Sequence, residues 1–323
     1  MQSHPITITP TKNEIANGRL ASENLEVAIR SLHRDGLVVV NDVIPHEMLD
    51  RLNSKMVKDA YKLYARKENS PFNYTPNNLQ QDPPPMREHF ESQIFLSKEH
   101  IATPLMNLVL RGSIDSISIQ ITSTALGPRP KWTFCSGNTA MPPTAESPAV
   151  SQPVHSDADF QHPDHPFAYV VNVPLITMTP ENGSTEIWLG THQDTNLHFQ
   201  EGLHGERASG RIKSEKLNKR RAIRPPCQPT VPKGSIVIRD LRLWHAGIGN
   251  QTDTVRVMLA MIHFAPWYRN PMKLQLVDDL KEVIEKEQSL EIPVEWASKD
   301  AIDAQYLNRA FGNAYDFSQG AGS

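Results

Sequence analysis

A short segment of the chain concentrates side chains that bind metal ions. The stretch PVHSDADFQHPDHPF, residues 153–167, holds three histidines and three aspartates. Residues i and i+2 of an extended strand lie on the same face, so His155 and Asp157 can bind one ion together. Asp159 would share that face if the strand continued, which makes it the nearest rival carboxylate.

The other two histidines of this segment are less suited to that ion. His162 and His165 are each followed by a proline, Pro163 and Pro166, which turns the chain away from the strand. An H-x-D pair alone is weak evidence, because it occurs often by chance. A polar surface loop therefore remains an open interpretation of the segment.

A third candidate ligand lies about ninety residues further on. The run VIRDLRLWHAGIGN places His245 after a β-like segment and before a glycine-rich turn. Two histidines and a carboxylate from separate strands form the facial triad of non-haem Fe(II) enzymes, which leaves three coordination positions open. The same ligands could instead hold Zn or Mn in a hydrolase, lyase or isomerase. A purely structural histidine is the alternative for His245.

One arginine is placed to hold an anion beside such a metal. Arg256 lies between Val255 and Val257, so its side chain points opposite to theirs, into a barrel or out to solvent. A buried arginine must be paired, and a dicarboxylate cosubstrate offers a bidentate partner. An internal ion pair with an acidic side chain is the competing explanation.

The second half of the chain is predicted to be rich in β-strands. Short segments between Pro, Gly and Asn turns predict an antiparallel sandwich or barrel. From about Asp115 they are DSISIQITST, KWTFCSG, FAYVVNVPLI, STEIWLG, GSIVIRDLRLWHAG and TVRVMLAMIHFAP.

The first part is predicted to be a helical layer around one strand. Leu25, Ile29 and Leu32 have helical spacing, and Gly36 marks the end of that helix. GLVVVNDVI follows as a buried strand. A longer helix then carries an apolar face, and a further helix is expected around residues 101–108. The apolar face of the longer helix consists of Met48, Leu52, Met56, Ala60 and Leu63.

The whole chain, 1–323, is expected to form one domain, mainly β with flanking helices. Residues 1–21 are expected to be loosely ordered, 193–229 to be an insertion or lid, and 272–323 to be a helical tail. The loops 66–92, 136–151 and 193–229 are predicted to form the mouth of a pocket.

These motifs together resemble the phytanoyl-CoA dioxygenase family of Fe(II)/2-oxoglutarate oxygenases, of the type found in fungal specialised metabolism. The resemblance covers roughly residues 25–267 and rests on four motifs in the family's order. They are RDGLVVVNDVIPHEMLDRL, H-x-D, ENGSTEIWLGTH and GSIVIRDLRLWHAGIGNQTDTVRVMLAM. It implies a double-stranded β-helix core (jelly-roll, cupin-like) and the use of Fe(II), 2-oxoglutarate and O2.

The resemblance also implies roles for six residues. His155, Asp157 and His245 match the family's iron ligands. Arg256 matches the arginine that holds the distal carboxylate of 2-oxoglutarate. Two further positions, Gln152 and Thr185, match contacts to the cosubstrate in fungal-type members.

Two details of the motif bear on the chemistry. Ser156 stands where many relatives have glutamine, which alters the hydrogen bonds around the ligands but not the ligand set. Asp157 is a carboxylate rather than Ala or Gly, which favours hydroxylation, desaturation or rearrangement over halogenation. The expected substrate is a small organic molecule, with a CoA thioester attracted by the arginines of 207–224 as the alternative. A solvated loop is the simpler explanation of those arginines.

Composition excludes several other functions. A net charge of −3 argues against nucleic-acid binding, and no segment is long and apolar enough to predict a membrane helix. Two cysteines and the lack of a secretory signal favour the cytoplasm. The sequence leaves a homodimer open, and a non-catalytic ligand-binding barrel is the third hypothesis.

Overall fold

The computed structural model describes residues 4–66, 70–84, 113–193, 195–202 and 210–308. The helices are α1 Lys12–Asn17, α2 Ser22–Asp35, α3 His46–Ala65, α4 Ser113–Leu126, α5 Ser214–Ile223, α6 Lys281–Glu285 and α7 Lys299–Gln305. The strands are β1 Thr7–Ile8, β2 Leu37–Val40, β3 Phe72–Asn73, β4 Thr75–Gln81, β5 Lys131–Ala140, β6 Ala168–Pro174, β7 Glu186–Ile187, β8 Ile236–Asp240, β9 His245–Ala246, β10 Arg256–Phe264, β11 Leu274–Val277 and β12 Val294–Ala297. None of these helices has the length and apolar character needed to cross a membrane.

One large, eight-stranded sheet forms one side of the β-core. Its strand order is β1-β2-β8-β6-β10-β5-β4-β3, and every neighbouring pair is antiparallel except β1 and β2. The opposite side is built from the short pair β7–β9 and from isolated bridges such as Met178 to Val231. The predicted jelly-roll, double-stranded β-helix core is confirmed.

A pocket lies against the inner face of the large sheet. In β10 the alternate residues Arg256, Met258, Ala260 and Ile262 line it, because successive side chains of a strand point to opposite faces. The remaining residues of β10 pack into the outer core, so the strand is buried on both faces.

Helices cover the outer face of this sheet. Helix α2 ends at Asp35 and is capped by Gly36, which adopts φ +74°. Gly36 passes so close to His192 that a Cβ atom on it would lie 2.5 Å from the imidazole ring of His192. Helix α3 buries Leu52 and Met56 against the core. The predicted N-terminal helical layer is therefore confirmed.

The alternation in DSISIQITST predicts a strand, but the segment is part of helix α4. The helix is buried against α2 and the large sheet, so polar residues on it are covered as well as apolar ones. Gln120 bonds the backbone of Leu20 through both side-chain atoms, and the Thr122 hydroxyl lies 3.1 Å from His263 Nδ1. Alternation here reflects a helix whose residues 117–122 are all buried rather than the two faces of a strand.

Three further expectations need correction. The start of the predicted loop 66–92 forms β3 and β4, and β4 extends the sheet beside β5. The expected loose N-terminus contains β1, which pairs with β2, and α1, which has a Thr11 capping box. The expected helical tail includes the parallel pair β11–β12. The helix expected at residues 101–108 lies outside the described residues.

Candidate metal centre

Three side chains that are distant in sequence meet at one point of the pocket. The Nε2 atoms of His155 and His245 each lie 3.7 Å from Oδ1 of Asp157. One ligand atom from each residue falls within 4.8 Å of the others, as donors around a single ion must. Two imidazoles and one carboxylate match the donor set that non-haem Fe(II) prefers.

Backbone pairing brings the two histidines side by side. His155 N–H donates to the His245 carbonyl at 2.9 Å, and His245 N–H donates to the His155 carbonyl at 3.0 Å. This antiparallel bridge places both rings on the same face, with their centroids 4.4 Å apart. Asp157 lies two residues after His155 and shares that face, as its spacing predicts.

Each imidazole is held in the orientation that a ligand needs. The Nδ1 of His155 lies 2.8 Å from the Pro153 carbonyl, and Nδ1 of His245 lies 2.9 Å from the Leu243 carbonyl. A carbonyl only accepts hydrogen bonds, so Nδ1 carries the proton in both rings. The lone pair of each Nε2 is therefore directed at the centre, an arrangement typical of metal-bound histidines.

The electrostatics keep all three groups in their metal-binding forms. Burial lowers the pKa of His155, and it lowers the pKa of His245 well below the usual value with help from the charge of Arg239. Burial alone would raise the pKa of Asp157, but the charge of Arg239, the two neighbouring imidazoles and the hydrogen bond that Arg239 donates outweigh it and lower that pKa well below its usual range. Neutral imidazoles and an ionised carboxylate result.

Arg239 is a site residue that the sequence analysis missed. Its Nη2 donates to Oδ2 of Asp157 at 2.6 Å, and its Nε donates to Oδ1 of Asn172 at 3.3 Å. A signal was present, since Arg239 interrupts the apolar run of β8 and a buried arginine requires a partner. The partner's identity depends on tertiary packing, which the sequence pattern does not contain.

Arg256 lines the same pocket and is almost fully buried, with 3% of its surface exposed. Its Nη2 donates to the Gly183 carbonyl at 2.9 Å and its Nη1 to the Asn138 carbonyl at 3.3 Å. No acidic side chain within the described ranges forms an ion pair with it, and burial lowers its pKa to about 10. The internal ion pair considered as an alternative is therefore absent from this part of the chain.

Gln152 and Thr185 also line the pocket. Gln152 Oε1 accepts from Gly247 N–H at 2.9 Å, while its backbone N–H donates to the Gly247 carbonyl. This pairing fixes the turn that follows His245 and leaves the side-chain amide N–H groups of Gln152 available. All six predicted site residues thus surround one pocket.

The remaining candidates serve other roles. Asp159 is not part of the ligand cluster found among the described residues. His162 packs against Phe167, and the His165 ring lies 5.1 Å from that of Trp267. The Ser156 hydroxyl donates to the Arg242 carbonyl at 3.2 Å, so it holds the loop rather than contacting a ligand.

Comparison with known proteins agrees with this geometry. The sequence model of the phytanoyl-CoA dioxygenase (PhyH) family matches residues 32–258, more than two thirds of the chain. That range contains both candidate ligand motifs and Arg256.

Two solved structures share the fold at low sequence identity, and a third matches less closely. The epimerase SnoN in complex with Fe3+, alpha ketoglutarate and nogalamycin RO is 14% identical, with 76% of this chain and 84% of that chain covered and a TM-score of 0.52. A second structure of SnoN, a non-heme alpha ketoglutarate dependent epimerase from nogalamycin biosynthesis, is also 14% identical over 76% and 82%, with a TM-score of 0.51. EctD from S. alaskensis, with 2-oxoglutarate and 5-hydroxyectoine, is 17% identical over 80% and 83%, with a TM-score of 0.48. The family match, the shared fold and the His-Asp-His cluster together show that the chain belongs to the phytanoyl-CoA dioxygenase family of non-haem iron, 2-oxoglutarate-dependent dioxygenases.

Proposed function

We propose that His155, Asp157 and His245 hold Fe(II), that Arg256 binds the distal carboxylate of 2-oxoglutarate, and that the enzyme oxidises a small organic molecule of specialised metabolism. The observation that carries this proposal is Arg256, a buried cation in the pocket whose described hydrogen bonds go only to carbonyl groups. A buried guanidinium without a carboxylate is costly, and the far carboxylate of a keto acid supplies that partner.

When bound, iron and 2-oxoglutarate supply O2-dependent oxidation coupled to decarboxylation of the keto acid to succinate. The chain's own contribution is orientation and exclusion of water. Arg256 fixes one end of the cosubstrate. The apolar side chains of Met258 and Ile262 line the pocket along β10, between Arg256 and the other end of that strand. Gln152 and Thr185 are proposed to donate hydrogen bonds to the cosubstrate from the opposite wall.

The pocket suits a substrate with both apolar and hydrogen-bonding parts. Its walls include apolar side chains such as Leu37, Val39 and Phe134, and amide side chains at Asn73 and Asn138. An uncharged or weakly polar metabolite satisfies both kinds of surface. The first two predicted mouth segments contribute to this lining, whereas the described part of 193–229 contributes only Pro229.

Three of the described arginines of the basic insertion are engaged with the protein itself. Arg224 forms an ion pair with buried Asp35 at 2.7 Å, and Arg220 donates to the Leu189 carbonyl. The guanidinium of Arg221 lies 5.2 Å from the centre of the Trp188 ring. These contacts favour a structural role for the insertion, and therefore a free metabolite over a CoA thioester.

Cosubstrate binding to matched arginine variants tests the assignment. Arg256→Ala should weaken 2-oxoglutarate binding to the Fe(II) protein by about 100-fold, since a lost charge-assisted pair costs ~2–5 kcal/mol. Arg256→Lys should recover part of that affinity. An Arg256→Ala variant with wild-type affinity for 2-oxoglutarate would contradict the cosubstrate site. Oxygen-independent turnover by the wild type would contradict the proposed reaction.

A further inference from the structure

The two oxygens of Asp157 face different partners. Oδ1 lies 3.7 Å from the Nε2 atoms of both histidines, at the proposed metal position. Oδ2 lies 2.6 Å from Nη2 of Arg239. Only one oxygen of this carboxylate is therefore directed at the metal, and the other is occupied by a charge-assisted hydrogen bond.

Arg239 is itself fixed by the sheet. It lies on the pocket side of β8, beside Val170 of β6, and its side chain is only 8% exposed. Nε donates to Asn172 Oδ1, and the Asn172 amide donates to the Leu259 carbonyl at 3.4 Å. The guanidinium thus connects the large sheet to Asp157 on the opposite wall.

We propose that Arg239 is a positioning residue that restricts Asp157 to coordination through Oδ1 alone. This inference rests on the proposed function. A carboxylate with a free second oxygen can bind a metal through both oxygens, which would occupy one of the three positions that a keto acid and O2 require. A hydrogen bond between charged groups would be lost if Oδ2 turned to the metal, and its loss favours the single-oxygen mode by at least about ten-fold.

The chain contains a matched control. Arg242 is another buried arginine from the same part of the chain, and it forms an ion pair with Asp240 at 2.8 Å. It lies outside the described pocket lining and contacts the carbonyl groups of Pro163 and Asp164. Replacing it removes a buried ion pair of similar kind without touching a proposed metal ligand.

The test compares Arg239→Met, Arg239→Lys and Arg242→Met as full-length proteins loaded with Mn(II), an oxygen-stable probe, and 2-oxoglutarate. Crystal structures should show Asp157 bound through one oxygen in the wild type and in Arg242→Met, and through both in Arg239→Met. The affinity of the Mn(II)-loaded protein for 2-oxoglutarate, measured by titration, should fall at least about ten-fold in Arg239→Met, because the second carboxylate oxygen takes a position that the keto acid requires, and remain near wild type in Arg242→Met.

Arg239→Lys keeps the positive charge, but an ammonium group lacks the planar guanidinium that donates to Asn172 and Asp157 at the same time. Its affinity for 2-oxoglutarate should fall at least three-fold, and this variant decides the matter if Arg239→Met does not fold. Single-oxygen coordination in Arg239→Met, or unchanged affinities in Arg239→Lys, would overturn the positioning role. A wild-type protein that binds Mn(II) but no 2-oxoglutarate would instead contradict the proposed function.

Discussion

Two arginines on the same sheet differ in how their charge is balanced. Arg239 of β8 and Arg256 of β10 lie on strands that flank β6, and both are more than 90% buried in the pocket wall. Arg239 is paired with Asp157, whereas the described hydrogen bonds of Arg256 go to two carbonyl oxygens. The two proposals therefore assign Arg239 to shaping the metal site and Arg256 to binding a ligand's carboxylate.

Removing the shared carboxylate should give the largest effect. Asp157→Ala should lose iron binding and turnover, and it should lower the free energy of unfolding by about 3–5 kcal/mol because Arg239 remains buried without its partner. Metal content and urea denaturation of the metal-free protein measure the two effects. Asp159→Ala is the control and should retain the metal. Wild-type metal content in Asp157→Ala would show that Asp157 is not a metal ligand, and the comparison of Arg239 with Arg256 would then have no basis.

Arg256 should behave in the opposite way when stability is measured. Arg256→Met removes a cation that has no carboxylate partner in the described chain, so the unfolding free energy without ligand should stay unchanged or rise. The wild type with Mn(II) should gain about 2.7 kcal/mol at 2-oxoglutarate concentrations 100-fold above Kd, and the variant should gain far less. Thermal melts with and without 2-oxoglutarate check both statements. A loss of stability as large as that of Asp157→Ala would show that Arg256 is also a structural cation.

The pH dependence of the metal-free protein should separate the histidines from the Asp157–Arg239 pair. The folded-state pKa values of His155 and His245 lie below 6.5, so the unfolded chain binds protons first as the pH falls. Stability should therefore decrease as the pH falls below about 6.5. The pKa of Asp157 is also lowered, but its stabilising contribution is present above 3.8 and is lost only as the pH falls towards its folded-state value.

The double variant His155→Gln/His245→Gln isolates this effect. Between pH 7 and pH 5 it should lose less stability than the wild type, because each histidine whose pKa is lowered in the folded state takes up a proton only when the chain unfolds. His263, whose pKa burial lowers to about 4, contributes the same trend in both proteins. Urea denaturation at the two pH values provides the measurement. An equal loss in both proteins would mean that the two histidines are not held neutral by burial.

The smallest effect is expected for substitutions of Thr185, which lines the pocket on the wall opposite Arg256. Thr185→Val should raise the KM for 2-oxoglutarate about 2–10-fold, as the loss of one hydrogen bond with a net value of about 0.5–1.5 kcal/mol predicts. Its stability should remain within about 0.5 kcal/mol of wild type. Thr185→Ser keeps the hydroxyl and should be close to wild type. Identical KM values in all three proteins would remove Thr185 from the cosubstrate site.

The sequence predicts the site better than the elements around it. The i, i+2 spacing of His155 and Asp157, and the position of His245 after a β-rich run, depend on local strand geometry that a pattern can represent. The valine neighbours of Arg256 also predict that its side chain points opposite to theirs, but they leave open whether that side faces the barrel or solvent. These local rules place the candidate ligands correctly because each acts within a few residues.

Features that depend on distant contacts were not predicted. The alternation in residues 115–124 indicates a strand, yet burial between α2 and the sheet makes this segment helical. β4 is rich in Asn and Gln and is stabilised by pairing with β5, which no local pattern shows. The contact between Arg239 and Asp157 spans 82 positions and opposite walls of the pocket.

Anaerobic titration of the metal-free protein with Fe(II) and 2-oxoglutarate shows whether His155, Asp157 and His245 bind iron together with the keto acid. A keto acid chelated to Fe(II) produces a visible metal-to-ligand charge-transfer band, so we expect such a band at one equivalent of iron. The band should be absent in His245→Ala and should need much higher 2-oxoglutarate in Arg256→Ala. A wild-type protein without the band, or a His245→Ala variant that retains it, would rule out this metal centre.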